Sequence, residues 1–309
     1  MQISVASSSL ISVPIIEAVL NSQHNLASII SNPDQKSGRG LKVAANELAQ
    51  WAETRNLPLS KPADNSELNR HLLTAQPQLV ITAAYGKLIP VELLHGPRFG
   101  WLNLHFSLLP KWRGAAPVQW ALLSGEEETG ISIFKLDKGM DTGPIYLQEK
   151  IAIREFERTP ELLERMSILG GEVIMSVVDE ISKGIKPKAQ PATGATLAPK
   201  ITKEMGQVQW DLSTAQILFQ DRAIGDKPGI WSTFRGEKIG LHGLNLTSPI
   251  KGSTKNGAIE ESECGLVVKA GDGFIAISEV TPAGKRRMKS VDFLRGARLL
   301  PGENLDVIR

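Results

Sequence analysis

Short apolar runs alternate with longer amphipathic segments through the first half of this chain, and this alternation constrains the fold more than any other feature. Five runs have the length and composition of strands: 3–6, 26–31, 79–83, 101–105 and 131–135. Helical periodicity is found at 14–20, 41–55 and 116–123. Strands and helices in this order build βαβ units, so we predict a Rossmann-like α/β fold whose parallel sheet carries helices on both faces.

A long helix and a loop-like segment follow in the second half. Thr159 can cap a helix that has Pro160 at its first position and runs to residue 183. The segment from Pro187 to Pro199 is rich in proline, alanine, threonine and glycine, which is typical of a linker on the surface.

Short strands separated by glycine then predict a small β-barrel. A helix at 214–224 precedes these strands, which we place at 239–241, 258–260, 266–269 and 274–280. The predicted closing helix at 290–298 has Ser290 as its cap. A chain of 309 residues is long enough for two domains, and we place them at 1–186 and 207–309, joined by a linker at 187–206.

The composition is that of an ordinary globular chain, and it excludes several classes of protein. The formal net charge is +2, so a nucleic-acid partner would have to bind at a local basic patch. A single cysteine, Cys264, cannot form an intrachain disulfide, and no spacing is typical of a zinc site, so we expect no metal. No apolar run reaches the ~18–20 residues that span a membrane, and Met1 to Val5 lacks a cationic signal-peptide head, so we expect a cytoplasmic protein.

Three polar side chains point to the chemistry: Asn103, His105 and Asp141. Asn103 and His105 are two residues apart on a predicted strand, so their side chains lie on the same face. They stand at the carboxyl end of that strand, where open parallel sheets bind their ligands. An amide, an imidazole and a carboxylate are the groups needed to pass a one-carbon acyl group to an amine.

Transfer of a formyl group to an amine creates a tetrahedral carbon that bears an oxyanion. The Asn103 amide and the His105 imidazole can donate hydrogen bonds to that charge. The Asp141 carboxylate can orient the imidazole and accept, directly or through water, the proton that the amine loses. Each motif alone also fits a structural role, because Asn-x-His at a strand end and Asp-x-Gly are common in caps and turns.

The stretch from Asn103 to Gln119, followed by Met140 to Gly143, resembles the methionyl-tRNA formyltransferases, which are a family of folate-dependent formyltransferases. The matching residues read Asn-Leu-His-Phe-Ser-Leu-Leu-Pro-Lys-Trp-Arg-Gly-Ala-Ala-Pro-Val-Gln and Met-Asp-Thr-Gly. Shorter stretches extend the resemblance over almost the whole chain: 32–34, 38–40, 84–86, 88–90, 200–204, 209–210, 228–231 and 282–288.

This resemblance implies that 10-formyltetrahydrofolate is the formyl donor and that methionyl initiator tRNA is the acceptor. It makes Asn103, His105 and Asp141 the catalytic set, and it makes the second domain an OB-like barrel that holds tRNA. Six residues are implied to lie along the folate: Tyr85, Gly86, Ser107, Leu108, Leu109 and Pro110.

Five cations are candidates for contact with tRNA: Arg39, Lys203, Lys285, Arg286 and Arg287. Arg39 lies between glycines in a loop that resembles the family's approach to the tRNA acceptor end, and a solvated loop arginine is the alternative. The cluster at 285–287 fits either phosphate contact, which salt would weaken, or a solvated turn. We expect the protein to be a monomer.

One loop departs from the family pattern. Residues 6–10 read Ala-Ser-Ser-Ser-Leu, where the family usually has Gly-Thr-Pro-x-Phe after the first strand. Two alternatives stay open: another folate-dependent formyltransferase or a formyltetrahydrofolate hydrolase, and a catalytically inert tRNA-binding protein. A dinucleotide-dependent oxidoreductase is excluded, because no Gly-x-Gly-x-x-Gly follows the first strand.

Overall fold

The structure is a computed structural model that describes residues 1–37, 42–248, 253–262, 265–300 and 302–306. The chain forms two compact units. The first consists of Met1–Val118, Glu127–Ile153 and Pro160–Pro199, and the second of Gln119–Glu126, Arg154–Thr159 and Lys200–Arg309. The predicted linker at 187–206 is divided between them, because its residues up to Pro199 belong to the first unit. No helix among the described residues combines the length and the apolar character needed to cross a bilayer.

A mixed sheet forms the centre of the first unit. The strands of this unit are β1 Gln2–Ala6, β2 Asn25–Ile30, β3 Gln35–Ser37, β4 Lys42–Ala44, β5 Leu59–Ser60, β6 Leu79–Thr82, β7 Trp101–His105, β8 Arg113–Gly114, β9 Glu128–Lys135, β10 Ile145–Ala152 and β11 Leu197–Ala198. The central sheet has the order β10-β9-β7-β6-β1-β2-β5. The five strands from β7 to β5 run parallel, which confirms the predicted sheet. Strands β9 and β10 extend one edge in antiparallel fashion, and the sequence pattern did not predict β10.

Burial of the central strands explains their sequences. All four residues of β6 are buried, and β1 is buried from Ile3 onward. Strands that are covered on both faces read as continuous apolar runs rather than alternating ones. Each fully buried Val, Leu or Ile stabilises the fold by about 1.5–3 kcal/mol, so this core holds the strand ends in place.

The sequence supplies side-chain caps for only some of the described helices. The helices are α1 Val13–Leu20, α2 Glu47–Thr54, α3 Asn65–Ala75, α4 Val91–Leu94, α5 Pro117–Leu123, α6 Thr159–Ser182, α7 Thr214–Ile224 and α8 Ser290–Ala297, with short 3-10 helices at Leu10–Ser12 and Glu204–Gly206. Ahead of α3, the Asp64 carboxylate accepts the N–H of Glu67 at 2.9 Å. Ahead of α7, Ser213 and Gln216 form a reciprocal capping box.

The predicted helix at 41–55 is wrong in its first part. Residue 41 lies outside the described residues, residues 42–44 form β4 and pair with β3, and the helix α2 begins only at Glu47. Asn46 explains the boundary, because its side-chain oxygen accepts the N–H of Ala49 at 3.0 Å. An asparagine stabilises a helix as its cap and not in its interior.

An antiparallel sheet forms the second unit. Its strands are β12 Ile230–Phe234, β13 Glu237–Thr247, β14 Ile259–Ser262, β15 Gly265–Lys269, β16 Phe274–Pro282 and β17 Met288–Lys289. The order is β12-β13-β16-β15-β14, and β17 pairs with β16. Asp306 bridges to Thr233 in β12, and Asn304 bridges to Ala258 just before β14. The chain end therefore joins both edge strands, as the predicted OB-like barrel requires.

Two predicted helix caps have other roles. Ser290 is the first residue of α8, and its hydroxyl accepts the N–H of Leu266 at 3.1 Å instead of capping the helix. Thr159 is the first residue of α6, and its hydroxyl donates to the carbonyl of Ala223 at 2.7 Å. Each hydroxyl therefore bonds to a residue distant in sequence within the second unit.

Candidate active site

The carboxyl end of β7 presents the Asn103 amide. Register places Thr82, the last residue of β6, beside Asn103. The Thr82 hydroxyl donates to Oδ1 of Asn103 at 2.7 Å and also lies 3.0 Å from the carbonyl of Leu102. Because the amide oxygen is occupied in this way, the side-chain NH₂ of Asn103 is directed away from Thr82 and can donate to a ligand.

His105 is held inside the protein by a backbone group. Its side chain is only 5 % exposed, and the ring of Phe134 meets it edge-on at a centroid distance of 6.3 Å. The ring nitrogen Nε2 lies 2.9 Å from the carbonyl oxygen of Trp112. A carbonyl can only accept, so Nε2 carries a proton. The Trp112 carbonyl therefore fixes both the orientation and the tautomer of the ring.

The second ring nitrogen of His105 faces Asp141. Nδ1 lies 3.8 Å from Oδ2 of Asp141, which is too long for a direct hydrogen bond. Burial lowers the pKa of His105 below its ordinary value, although the Asp141 carboxylate opposes this effect. The ring is accordingly neutral at pH 7, and the lone pair on Nδ1 points toward the carboxylate. The sequence placed Asp141 as the group that orients the ring, whereas the hydrogen bond that does so comes from Trp112.

Asp141 lies in a strained turn that is fixed from several sides. Its φ of 55° is in the left-handed region, which is unusual for a residue other than glycine. Its Oδ2 accepts the N–H of Gly114 at 2.8 Å. At Gly143 there is no room for a side chain, because a Cβ would collide with the carbonyl oxygen of Lys135. The turn therefore depends on glycine at this position to bring Asp141 close to the sheet.

The segment predicted to lie along the folate is packed against β9 and β10. Ser132 donates its hydroxyl to the carbonyl of Ser107 at 2.7 Å and accepts the N–H of Leu109 at 3.0 Å. Gln148 donates to the carbonyl of Leu109 at 2.9 Å. Ser107, Leu109 and Pro110 are buried, and Leu108 is half-buried. Their buried side chains make this segment rigid.

The other two predicted folate residues follow β6. Tyr85 is 4 % exposed and packs in an apolar cluster, and burial raises the pKa of its hydroxyl to about 12. Among the described residues the Tyr85 hydroxyl has no hydrogen-bond partner. Gly86 is exposed and has a φ of 72°. The structure thus gives one buried hydroxyl and one exposed glycine with a left-handed backbone at this strand end.

The described residues among the predicted tRNA contacts all belong to the second unit. Arg39 lies outside the described residues. In the second unit, Lys203 precedes the 3-10 helix at 204–206, and the cluster at 285–287 lies in the exposed turn between β16 and β17. Arg287 pairs with Glu279, with Nε 2.8 Å from the carboxylate. Lys285 and Lys238 both line two open cavities of about 510 Å³ each.

Sequence reasoning missed three residues that hold the site: Thr82, Trp112 and Gly114. A signal existed only for Thr82, because it is the polar residue at the end of a buried strand beside β7. Trp112 and Gly114 act through backbone groups, so their side-chain chemistry gave no indication.

Comparison with known proteins identifies the family. The family described as "Formyl transferase" matches residues 1–178, and "Formyl transferase, C-terminal domain" matches residues 200–298. The chain belongs to the formyl transferase family. Curated relatives of this formyl transferase agree: the "Methionyl-tRNA formyltransferase" of Salinispora tropica is 36 % identical over 309 residues, which cover 99 % of this chain and 100 % of that protein. The protein of the same name from Thermus thermophilus is 38 % identical, with 95 % of each chain covered.

A solved structure shares the fold. HypX from Aquifex aeolicus, in complex with tetrahydrofolic acid, matches 100 % of this formyl transferase with a TM-score of 0.67 and 17 % identity. This chain spans 49 % of the length of HypX. At that identity the likeness shows a common fold alone.

Proposed function

We propose that this formyl transferase moves the formyl group of 10-formyltetrahydrofolate to the α-amino group of methionyl initiator tRNA. One observation carries the proposal: the relatives named methionyl-tRNA formyltransferase align over essentially the full length of both chains at 36–38 % identity. The convergence of His105 and Asp141 beside Asn103 supplies the chemistry that such a transfer needs.

Asn103 stabilises the charge that develops on the formyl oxygen. When the amine attacks the formyl carbon, that oxygen becomes an oxyanion and needs a donor already in place. Thr82 occupies Oδ1 of Asn103, so the NH₂ group is oriented before the substrate arrives. A donor oriented in this way does not have to reorganise during the reaction.

His105 and Asp141 move the proton. The attacking amine must lose a proton, and the nitrogen of the leaving folate must gain one. Neutral His105 can accept the proton at Nδ1 and return it to the leaving nitrogen. The imidazolium formed in between lies 3.8 Å from the Asp141 carboxylate, which stabilises it, and its positive charge also offsets the oxyanion. Asp141 thereby assists proton removal by stabilising the positive charge that His105 gains when it accepts the proton.

The folate side of the site is assigned to two strand-end segments. We place the donor along Ser107, Leu108, Leu109 and Pro110 and beside Tyr85 and Gly86. The packing of residues 107–110 against Ser132 fits a role in holding a substrate. So does the buried hydroxyl of Tyr85, which has no hydrogen-bond partner among the residues that the structure describes. HypX, which shares the fold, binds tetrahydrofolic acid.

The tRNA side is assigned to cations, and those among the described residues are exposed. We propose that Lys203, Lys285 and Arg286 contact phosphates, together with Arg39 and Arg287. Arg287 would have to exchange its bond to Glu279 for one to phosphate. We further propose that the protein acts as a monomer in the cytoplasm, where initiator tRNA is charged.

The experiment supplies the purified chain with radiolabelled 10-formyltetrahydrofolate and three acceptors in parallel: methionyl initiator tRNA, methionyl elongator tRNA and an amino sugar nucleotide. Chromatography of the released products then identifies the formylated amine. We expect N-formylmethionine from initiator tRNA alone.

Three outcomes would contradict the proposal. Formylation of the amino sugar would assign another transferase activity to the same site. Release of free formate would assign a hydrolase. Binding of tRNA without any product would favour an inert tRNA-binding protein.

A further inference from the structure

Residues 188–198 lie within the segment from Pro187 to Pro199 that the sequence predicts as a surface linker, yet they are bonded at both ends to the first unit. We call residues 188–198 the strap. At its start, the backbone of Lys188 exchanges hydrogen bonds of 2.7 and 2.8 Å with Ile145. At its end, Leu197–Ala198 forms β11 and pairs with Arg113–Gly114. The strap is therefore bonded next to the two loops that carry Trp112 and Asp141.

Gln190 in the strap bonds to the Asp141 turn. Its Nε2 donates to the carbonyl of Asp141 and to the carbonyl of Gly143, at 2.8 Å each. Its Oε1 accepts from Arg113, with Nη2 at 2.6 Å and Nε at 3.2 Å. Every hydrogen-bonding group of this side chain is thus used to connect the Asp141 turn to the loop at 113.

Thr196 in the strap bonds to the loop that holds His105. Its hydroxyl accepts the N–H of Trp112 at 2.8 Å, and its carbonyl accepts the N–H of Arg113 at 2.9 Å. Trp112 is the residue whose carbonyl accepts from Nε2 of His105. One side chain of the strap is therefore two hydrogen bonds away from the imidazole.

The two residues held by the strap share an unusual backbone conformation. Trp112 has a φ of 60° and Asp141 a φ of 55°. Neither is glycine, so each is strained and keeps its conformation only where the surrounding contacts enforce it. Gln190 supplies such contacts at Asp141, and Thr196 supplies them at Trp112. Because the strap holds both strained residues of the site, we assign it a role in the geometry of that site.

We infer that Gln190 and Thr196 are positioning residues of the formyl transfer, Gln190 holding Asp141 and Thr196 holding the ring of His105 through Trp112. This inference rests on the proposed function, because it assigns these residues to that reaction. Neither side chain touches the reacting atoms. Their effect is to keep the carboxylate and the imidazole at the separation from which a proton can pass between amine, ring and folate.

The first test replaces Gln190 in two ways. Gln190→Met has a similar length but makes none of the hydrogen bonds, whereas Gln190→Glu keeps an acceptor for Arg113 and loses the donor for both carbonyls. We expect kcat to fall about 10–100-fold in both variants, with little change of KM for either substrate, because small misplacements of catalytic groups reduce turnover by such factors. Thr193→Ala, at an exposed position of the strap, is the matched control and should behave as wild type. Wild-type kcat in Gln190→Glu would overturn the inference for Gln190.

The second test combines Gln190→Met with Asp141→Asn. If Gln190 acts through Asp141, the loss caused by Gln190→Met should disappear once the carboxylate is gone, since the two residues then form one unit. An equal loss in both backgrounds would show that Gln190 has only a general structural role and would overturn the inference.

The third test reads the geometry without measuring activity. In ¹⁵N NMR of the imidazole, Gln190→Met should lower the titration midpoint of His105, because the carboxylate that raises it is no longer held nearby. Thr196→Val should reduce the fraction of the ring that is protonated at Nε2, because the Trp112 carbonyl is released. If the variants show these shifts but the wild type transfers no formyl group, the proposed function alone is overturned. A wild type that transfers normally, with neither shift in the variants, would overturn the inference alone.

Discussion

The end of strand β7 and the strap both hold the same site, but by different means. Asn103 and His105 lie on a strand in a sheet that is buried on both sides, so packing fixes their backbone. The strap has little regular structure beyond the two residues of β11, and its residues 191–197 are exposed. It acts through side-chain hydrogen bonds from Gln190 and Thr196. The comparison teaches that the core places Asn103 and His105, whereas hydrogen bonds from an irregular segment hold the Asp141 turn and the Trp112 carbonyl that orients His105.

The largest expected effect concerns the three candidate catalytic side chains, two on strand β7 and one in the turn that the strap holds. Asn103→Ala, His105→Ala and Asp141→Ala should each lower single-turnover rates by ~10²–10³ while tRNA affinity stays near wild type, because each removes a group that acts mainly in the transition state. His95→Ala, an exposed histidine of the same unit, is the control. Near-normal turnover in all three variants would contradict the assignment of these three side chains as the groups that react.

The strap's pairing with β8 can be tested through glycine. A Cβ at Gly114 would lie 2.6 Å from the carbonyl oxygen of Ala198, at a φ of 128°, so Gly114→Ala should lower the free energy of unfolding by about 1–3 kcal/mol and reduce kcat. Gly194→Ala is the matched control in the strap, since its φ is 83° but its Cβ would meet nothing within 4 Å. Urea unfolding measures both. Equal losses in the two variants would mean that the β8–β11 pairing contributes little.

A smaller effect is expected at Thr82, which orients Asn103 from the neighbouring strand. Thr82→Val keeps the shape and removes the hydroxyl, so the amide of Asn103 can rotate and kcat should fall roughly tenfold, the equivalent of about one hydrogen bond. Thr74→Val, on the exposed surface of α3, is the control. Steady-state kinetics should show an unchanged KM for both substrates. A loss confined to KM would assign Thr82 to substrate binding instead.

The smallest expected effect is on the pH dependence. Nδ1 of His105 must be unprotonated to accept a proton, and burial lowers its pKa, so kcat should stay level from pH 8 to 6.5 and fall only below the ordinary value of 6.5. Asp141 raises this pKa, so Asp141→Asn should move the acid limb of the residual activity to still lower pH. A shift to higher pH in Asp141→Asn would contradict the electrostatic coupling between the two residues.

Much of the fold followed from the sequence, and the failures have physical reasons. Buried parallel strands are continuous apolar runs, so β1, β6 and β7 were predictable to within a residue or two. The predicted helix at 41–55 was wrong because a helical period was read through Asn46, whose side chain caps α2. Strand β10 was missed, and half of its residues are exposed, so its pattern lacks a buried run.

For the site, the sequence placed the reacting side chains but not the groups that hold them. The spacing of Asn103 and His105 on a strand put them on one face, and side-chain chemistry added Asp141. The resemblance to a family grouped these three as a catalytic set and added the folate segment. The domain boundaries at 186 and 207 and the tRNA contacts stay predictions, and Arg39 lies outside the described residues.

By itself, the sequence determined the parallel part of the sheet, the second β-rich domain and the candidate reacting groups, because burial periodicity and side-chain chemistry are local properties of the chain. Only the tertiary structure decided which nitrogen of His105 carries the proton, how close Asp141 comes, and that Gln190 and Thr196 hold the site. The reason is that these depend on backbone carbonyls and N–H groups, which every residue has. Their positions are set by contacts between segments far apart in the sequence, such as Trp112 and Thr196, which are 84 residues apart.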